Sequence, residues 1–174
     1  MATFKIDTVH SEIGFKVKHL MISSASGVFK TFDATVDAEK EDFSDAKINF
    51  EADVASIDSK NVQRDEHLKS EDFFNAEKFP KLTFVSKSIS KKSDVEFELR
   101  GDLTIRDVTK EVDLDVEYNG TVKDPWGQLK AGFEINGKIS RNDFGLKWSA
   151  VTEAGGLVVG DEIKLHMNIE MQKN

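Results

Sequence analysis

Large apolar side chains fall on every second residue through most of this chain. Ile13, Phe15 and Val17 alternate with Gly14, Lys16 and Lys18. Ile48, Phe50, Ala52 and Val54 alternate with Asn49, Glu51 and Asp53. Val95, Phe97 and Leu99 alternate with Glu96, Glu98 and Arg100, and Val112, Leu114, Val116 and Tyr118 with four acidic or amide residues. Ile163, Leu165, Met167, Ile169 and Met171 repeat the rhythm in the last such segment. Strand side chains point to opposite faces in turn, so each segment reads as a strand with one dry and one wet face. Many such strands bury their dry faces by closing into a barrel or sandwich, and a barrel interior can hold a ligand.

The pattern predicts strands over residues 3–6, 11–19, 28–36, 47–54, 81–88, 95–105, 112–122, 129–140 and 162–172. A Ser-rich turn at 23–27 and a polar loop at 39–45 separate the early ones. The rhythm breaks over 58–79, where Asn61, Gln63, Arg64, Asp65, Glu66 and Lys69 favour helix. Asp58 or Ser59 is the expected cap of that helix, and Ser70 the cap of a second short helix through Phe73 and Phe74. Pro80 holds Phe79 extended and ends the helical region. The Asp124-Pro125-Trp126-Gly127 sequence is a turn, and 141–160 is irregular and Gly-rich. The expected architecture is mainly β: one domain over 1–174, an antiparallel lipocalin-like barrel of about eight strands, with short helical segments around 60–78. Ten-residue strands tilted near 40° make a barrel roughly 20–25 Å tall.

Composition sharpens this picture in three places. Phe is abundant, 13 residues against one Tyr and two Trp, which supplies apolar bulk without polar handles. The net charge of −8 disfavours nucleic acid as a partner. The absence of Cys removes disulfides, thiolate metal sites and a Cys nucleophile. No apolar run is long enough for a membrane-spanning helix, and no apolar segment follows a basic start as in a signal peptide. The expectation is a cytoplasmic protein without stable membrane insertion, or a periplasmic one if a leader has been removed.

Four blocks carry a family resemblance. The first is Asp7-Thr8-Val9-His10-Ser11 with Ile13, Phe15, Val17 and His19. The second runs from Ser56-Ile57-Asp58-Ser59 through Arg64-Asp65-Glu66-His67-Leu68-Lys69-Ser70 and Asp72-Phe73-Phe74 to Phe79-Pro80, Thr83-Phe84 and Ser86. The third is Gly101-Asp102-Leu103-Thr104-Ile105 with Val108-Thr109-Lys110. The fourth is Ile139-Ser140-Arg141-Asn142-Asp143-Phe144-Gly145 with Val159-Gly160-Asp161-Glu162-Ile163. In this order they resemble the YceI-like, or polyisoprenoid-binding, family along essentially the whole chain. The resemblance implies a lipocalin-type barrel with a long apolar tunnel for an amphiphile such as a polyisoprenoid, an isoprenoid quinone or a fatty acid. It implies no catalytic activity and no cofactor besides the bound lipid.

The candidate ligand-binding positions are the inward-facing apolar residues Phe15, Val17, Phe29, Phe50, Phe84, Phe97, Leu103, Phe133, Ile135, Phe144 and Trp148. His19 joins them, because it shares the parity of Val17 and is expected to meet a headgroup or a neighbouring side chain. Residues 144–148 with Gly155, Gly156 and Gly160 read as a lip over the tunnel or as a long connection. Arg64, Asp65 and His67 are the most tempting cluster for acid–base chemistry, which would make the barrel a hydrolase or isomerase. The alternative is that they tie the helix to the barrel. No His pair has metal-ligand spacing, and His166 is expected to face water. Parity alone does not separate a hollow barrel from a filled one that serves as an interaction module, and exposed strand edges leave a homodimer open.

Overall fold

A computed structural model describes residues 2–148 and 159–174. Eleven strand segments form one sheet that closes on itself: β1 (Ala2–Ile6), β2 (Glu12–His19), β3 (Ser23–Phe29), β4 (Phe32–Ala38), β5 (Lys47–Asp53), β6 (Ile57–Asp58), β7 (Lys81–Lys91), β8 (Glu96–Ile105), β9 (Val108–Lys123), β10 (Leu129–Ser140) and β11 (Val159–Lys173). Every pairing is antiparallel, and β1 pairs with both β4 and β11 to complete the ring.

Three staves of this barrel are broken strands. β1 and β2 lie along β11 one after the other, interrupted by a short 3-10 turn at Thr8–His10. β3 and β4 pair with β2 and β1 in the same order. β5 and β6 pair with β4 and β3, interrupted at Val54–Ser56. Counting each broken pair as one stave gives an eight-stranded closed barrel. Closure pairs most staves on both sides, which removes most of the usual template for edge-to-edge pairing, but β3 meets β6 only at Val28 and Phe29, so among the described residues Ser23–Gly27 pairs with β2 alone.

Alternation runs as the sequence predicts. On β4 the residues Phe32, Ala34, Val36 and Ala38 are buried, and on β8 Phe97, Leu99, Gly101, Leu103 and Ile105. Two glycines make room for inward rings. A Cβ on Gly101 would lie 2.5 Å from Phe84 Cζ, and one on Gly27 would overlap the Phe15 ring.

Three local expectations need correction. Ser23–Gly27 is not a turn but the first part of β3; small residues pack there against β2, and the reversal is carried by Leu20, Met21 and Ile22. The helix α1 is confined to Val62–Lys69, and its cap is Asn61, whose side chain accepts from Arg64 N at 3.0 Å. Asp58 and Ser59 are held in other bonds, to Lys60 N and to Asp65. Ser70 ends α1 instead of starting a second helix. Its hydroxyl donates to His67 O, and the chain continues as turns through Phe73 and Phe74.

The two barrel ends are closed differently. At the end with the 39–46 loop, Phe43 takes a left-handed backbone (φ 63°) and inserts its ring between Phe4, Tyr118 and Phe133, with centroids 5.1–5.6 Å away. Edge-on ring pairs of this kind add about 0.5–1.5 kcal/mol each beyond their burial. At the other end lie α1, the 70–80 connection and residues 141–148. There Phe74 packs on Phe29, and Phe73 is tied to the β8–β9 turn by Arg106, which donates to Phe73 O at 3.1 Å. Among the described residues no helix is long and apolar enough to cross a membrane.

Candidate functional site: an apolar hollow inside the barrel

The barrel is not filled. A cavity of about 240 Å³ runs between the two closed ends, and among the described residues every side chain that lines it is apolar apart from Arg141. Its floor is Phe43 and Phe133, its roof Phe73, Phe74 and Leu146. Inward-facing Phe15, Val17, Phe50, Ile135, Ile139, Leu165 and Met167 are only partly buried although they point into the barrel. Their remaining accessible surface faces the hollow. Such a space favours an apolar chain over water, because it offers water no hydrogen-bond partners.

Arg141 is the exception in the lining and is 3% exposed. It sits in a short 3-10 turn, Arg141–Phe144, that ends on Gly145 at φ 79°. Its guanidinium donates to four carbonyls: Gly160 O at 2.7 Å, Leu146 O at 2.6 Å, Trp148 O at 2.7 Å and Val159 O at 3.1 Å. Burial pushes its pKa below the ordinary arginine value, and the nearby Asp161 charge opposes that shift. Asp161 itself is lowered: burial works against ionisation, but bonds from Ser140 and from Asn142 outweigh it. Arg141 therefore staples the start of β11 to the 141–148 connection and places one cation at the roof of the cavity.

Of the proposed ligand positions, Phe15, Val17, Phe29, Phe50, Phe84, Leu103, Phe133 and Ile135 line the cavity. The other four do not. Phe97 is buried at the start of β8, where inward parity leads into packed side chains below the hollow. Phe144 is buried by the turn that Arg141 fixes. Trp148 packs on the His67 and Phe73 rings, at 4.6 and 5.5 Å between centroids, and so joins the 141–148 connection to α1. His19 is exposed at the end of β2: the register slips between Val159 and Ile163 on the facing strand, and parity no longer holds there. His166 faces water and bonds Asn136 Oδ1. Within the lip, Phe144 and Leu146 are held down rather than loose, and Gly155 and Gly156 lie outside the described residues.

The Arg64, Asp65 and His67 cluster is not turned toward the cavity. Asp65 accepts from Ser59 N and Ser59 Oγ, and Arg64 donates to Ser59 Oγ and Ser59 O. Both side chains clamp the buried Ser59 to the helix start. His67 bonds Asp72 at 2.8 Å. A second polar cluster, Asp7, His10 and Glu170, has its ligand-type atoms within 4.8 Å of one another. The Lys130 ammonium already contacts it, 2.7 Å from Asp7 and 3.7 Å from Glu170. Lys130 is the main reason that Asp7 is lowered to about 2, against the cost of burial and with help from His10. Asp7 also raises the His10 pKa. With Ser11, which bonds Glu170 N and O, the group pins the β1–β2 break onto β11.

The model of the YceI-like domain matches residues 4–171. The chain belongs to the YceI-like family. A UPF0312 protein of Staphylococcus epidermidis is 41% identical over 171 residues, covering 98% of this chain and 97% of the relative. One from Staphylococcus aureus is 40% identical over the same length. Among solved structures, the Campylobacter jejuni YceI protein is 36% identical with a TM-score of 0.77, covering 97% of this chain and 96% of that one. The fold alone is shared with a polyisoprenoid-binding domain from Saccharophagus degradans, at 11% identity and a TM-score of 0.69 over 98% of both chains.

Arg141 lines the cavity but, like Phe43, Phe74 and Leu165, was not among the candidate positions, and it is the polar one of these. The available signal was its place in an Ile139-Ser140-Arg141-Asn142 segment where the apolar alternation stops. A charge at the end of an inward-facing row is a candidate for burial with partners.

Proposed function

We propose that this YceI-like protein binds a long apolar chain, a polyisoprenoid or an isoprenoid quinone, inside the barrel, and carries or stores it without chemically changing it. The observation that carries the reading is the hollow itself, lined by apolar side chains with a single cation at its roof. Burial supplies about 0.8 kcal/mol per methylene, so a chain of ten or more carbons binds firmly with no charged contact. The cation favours a headgroup that accepts hydrogen bonds over one that is purely hydrocarbon. The Saccharophagus degradans domain, described as polyisoprenoid-binding, supports the ligand class through the shared fold. The occupied partners of Arg64, Asp65 and His67 support binding over catalysis, because none of the three lines the cavity.

The test is mass spectrometry of the purified protein, first native and then after solvent extraction. The expected result is one stoichiometric lipid in both spectra, or uptake of one isoprenoid quinone by lipid-free protein. Protein that stays ligand-free after expression in a lipid-replete host and after exposure to quinone overturns the reading.

A further inference from the structure

We propose that the β2–β3 hairpin is a docking tip for an anionic lipid bilayer. Its reversal consists of Leu20, Met21 and Ile22, which are 39%, 60% and 85% exposed. Ile22 N donates to His19 O, and the two residues inside that turn both have positive φ, 52° and 61°. Such a turn favours Asn-Gly, not Leu-Met. The chain therefore holds three apolar side chains in water on a backbone that disfavours them. Val62, 78% exposed at the start of α1, lies at the same end of the barrel.

The charge behind the tip matches an anionic surface. From Ile13 through Phe32 there is no carboxylate, in a chain of net charge −8, while Lys16 and Lys18 fall within that stretch; Lys30, also in it, is paired with Asp58 at 2.9 Å. The register sets Lys138, Lys164 and Lys16 side by side across β10, β11 and β2. Like charges directly opposite one another weaken a sheet, so this row is unfavourable for the isolated protein. Among the described residues its one ion pair is Lys138 with Glu162, at 3.9 Å. Two positions farther from the tip the row is Asn136, His166 and Gly14, and farther still Glu134, Asn168 and Glu12. Positive charge is thus greater in this row than in the rows below it, and Asp161 and Glu162 of β11 are the acids between the row and the tip.

The spacing suits a membrane interface. At about 3.3 Å per residue, Lys18 and Lys16 sit about 7 and 13 Å behind Leu20. Apolar groups at an interface sink about 5–10 Å, which brings these lysines to the headgroups. Trp126, 84% exposed, marks the opposite end. That end carries Glu39, Glu41, Asp42, Asp45, Asp94 and Asp124 beside Lys40, Lys47 and Lys123, and its Lys91 and Lys92 are paired with Asp42 and Glu98. The hairpin also forms a wall of the cavity through Phe15, Val17 and Phe29, so docking sets that wall against the bilayer.

The experiment is co-sedimentation with vesicles of phosphatidylcholine, with and without phosphatidylglycerol, at low and high salt. The protein is expected to bind the anionic vesicles and to release as salt rises. Lys16→Gln with Lys18→Gln lowers partitioning about twenty-five-fold, from about fivefold per lysine. Leu20→Asn with Met21→Gly lowers it at least tenfold while the melting temperature is maintained or raised, because Asn-Gly suits the turn. No binding by the wild type, or binding indifferent to both double variants, overturns the proposal. So does binding lost through Trp126→Ser, or a tip that controls self-association in sedimentation velocity instead of vesicle binding. The assay reads docking whether or not the cavity holds a chain, so this proposal and the ligand reading fail separately.

Discussion

Ile135→Phe distinguishes a hollow barrel from a filled one by the sign of a stability change. Ile135 lines the cavity, is only partly buried, and lies between Val116 on β9 and Met167 on β11. The substitution adds three carbon atoms, in a residue type that suits strands. In a filled core three extra carbons overpack the site and cost about 1–3 kcal/mol. In a hollow they enter empty apolar space and gain up to about 2 kcal/mol, at about 0.8 kcal/mol per carbon buried. For a domain of this size, about 2–4 °C of melting temperature accompanies each kcal/mol. The hollow thus predicts a rise of a few degrees for ligand-free protein, where a filled core predicts a fall. The same three carbons exclude an equal length of bound chain, so quinone affinity drops by about 2 kcal/mol, or about thirtyfold. Calorimetry of the extracted protein and a quinone titration read the two effects. A destabilised variant with unchanged affinity refutes the reasoning.

Further outcomes follow from individual contacts. Arg141→Met leaves four carbonyls without their donor and is expected to cost about 3–5 kcal/mol, measured by urea unfolding; a loss under about 1 kcal/mol would show that the staple is dispensable. Asp7 has a folded pKa of about 2, below its ordinary 3.8, so its contribution of about 2 kcal/mol is complete above about pH 4 and fades as the pH falls through 2. Unfolding curves from pH 2 to 7 should show that slope in the wild type and lack it in Asp7→Asn. Asp65→Ala should lower stability by about 1–3 kcal/mol by freeing Ser59, and leave lipid uptake by mass spectrometry unchanged.

Much of this protein was legible in its residue order. A period of two is a local property, so β8, β10 and the inward row Ile163 to Met171 could be read directly, and with them the cavity-lining place of eight of the twelve candidate positions. The misread positions lie where local parity and tertiary geometry part. His19 follows the alternation, but the slip between Val159 and Ile163 turns it outward. Ser23 to Gly27 have turn-prone side chains, yet they pair with β2 as a strand, and the facing Phe15 ring needs Gly27 to lack a side chain.

Residue order alone thus determined most of the strands, the polar α1 segment and the lack of Cys in the sequence. Whether the inward face is packed or hollow was decided only by closure, because strand number, register and the Phe43 plug set the interior volume jointly. The same is true of Arg141 and of the Lys138, Lys164 and Lys16 row. Each is assembled from distant segments by pairing, and no window along the chain contains the partners.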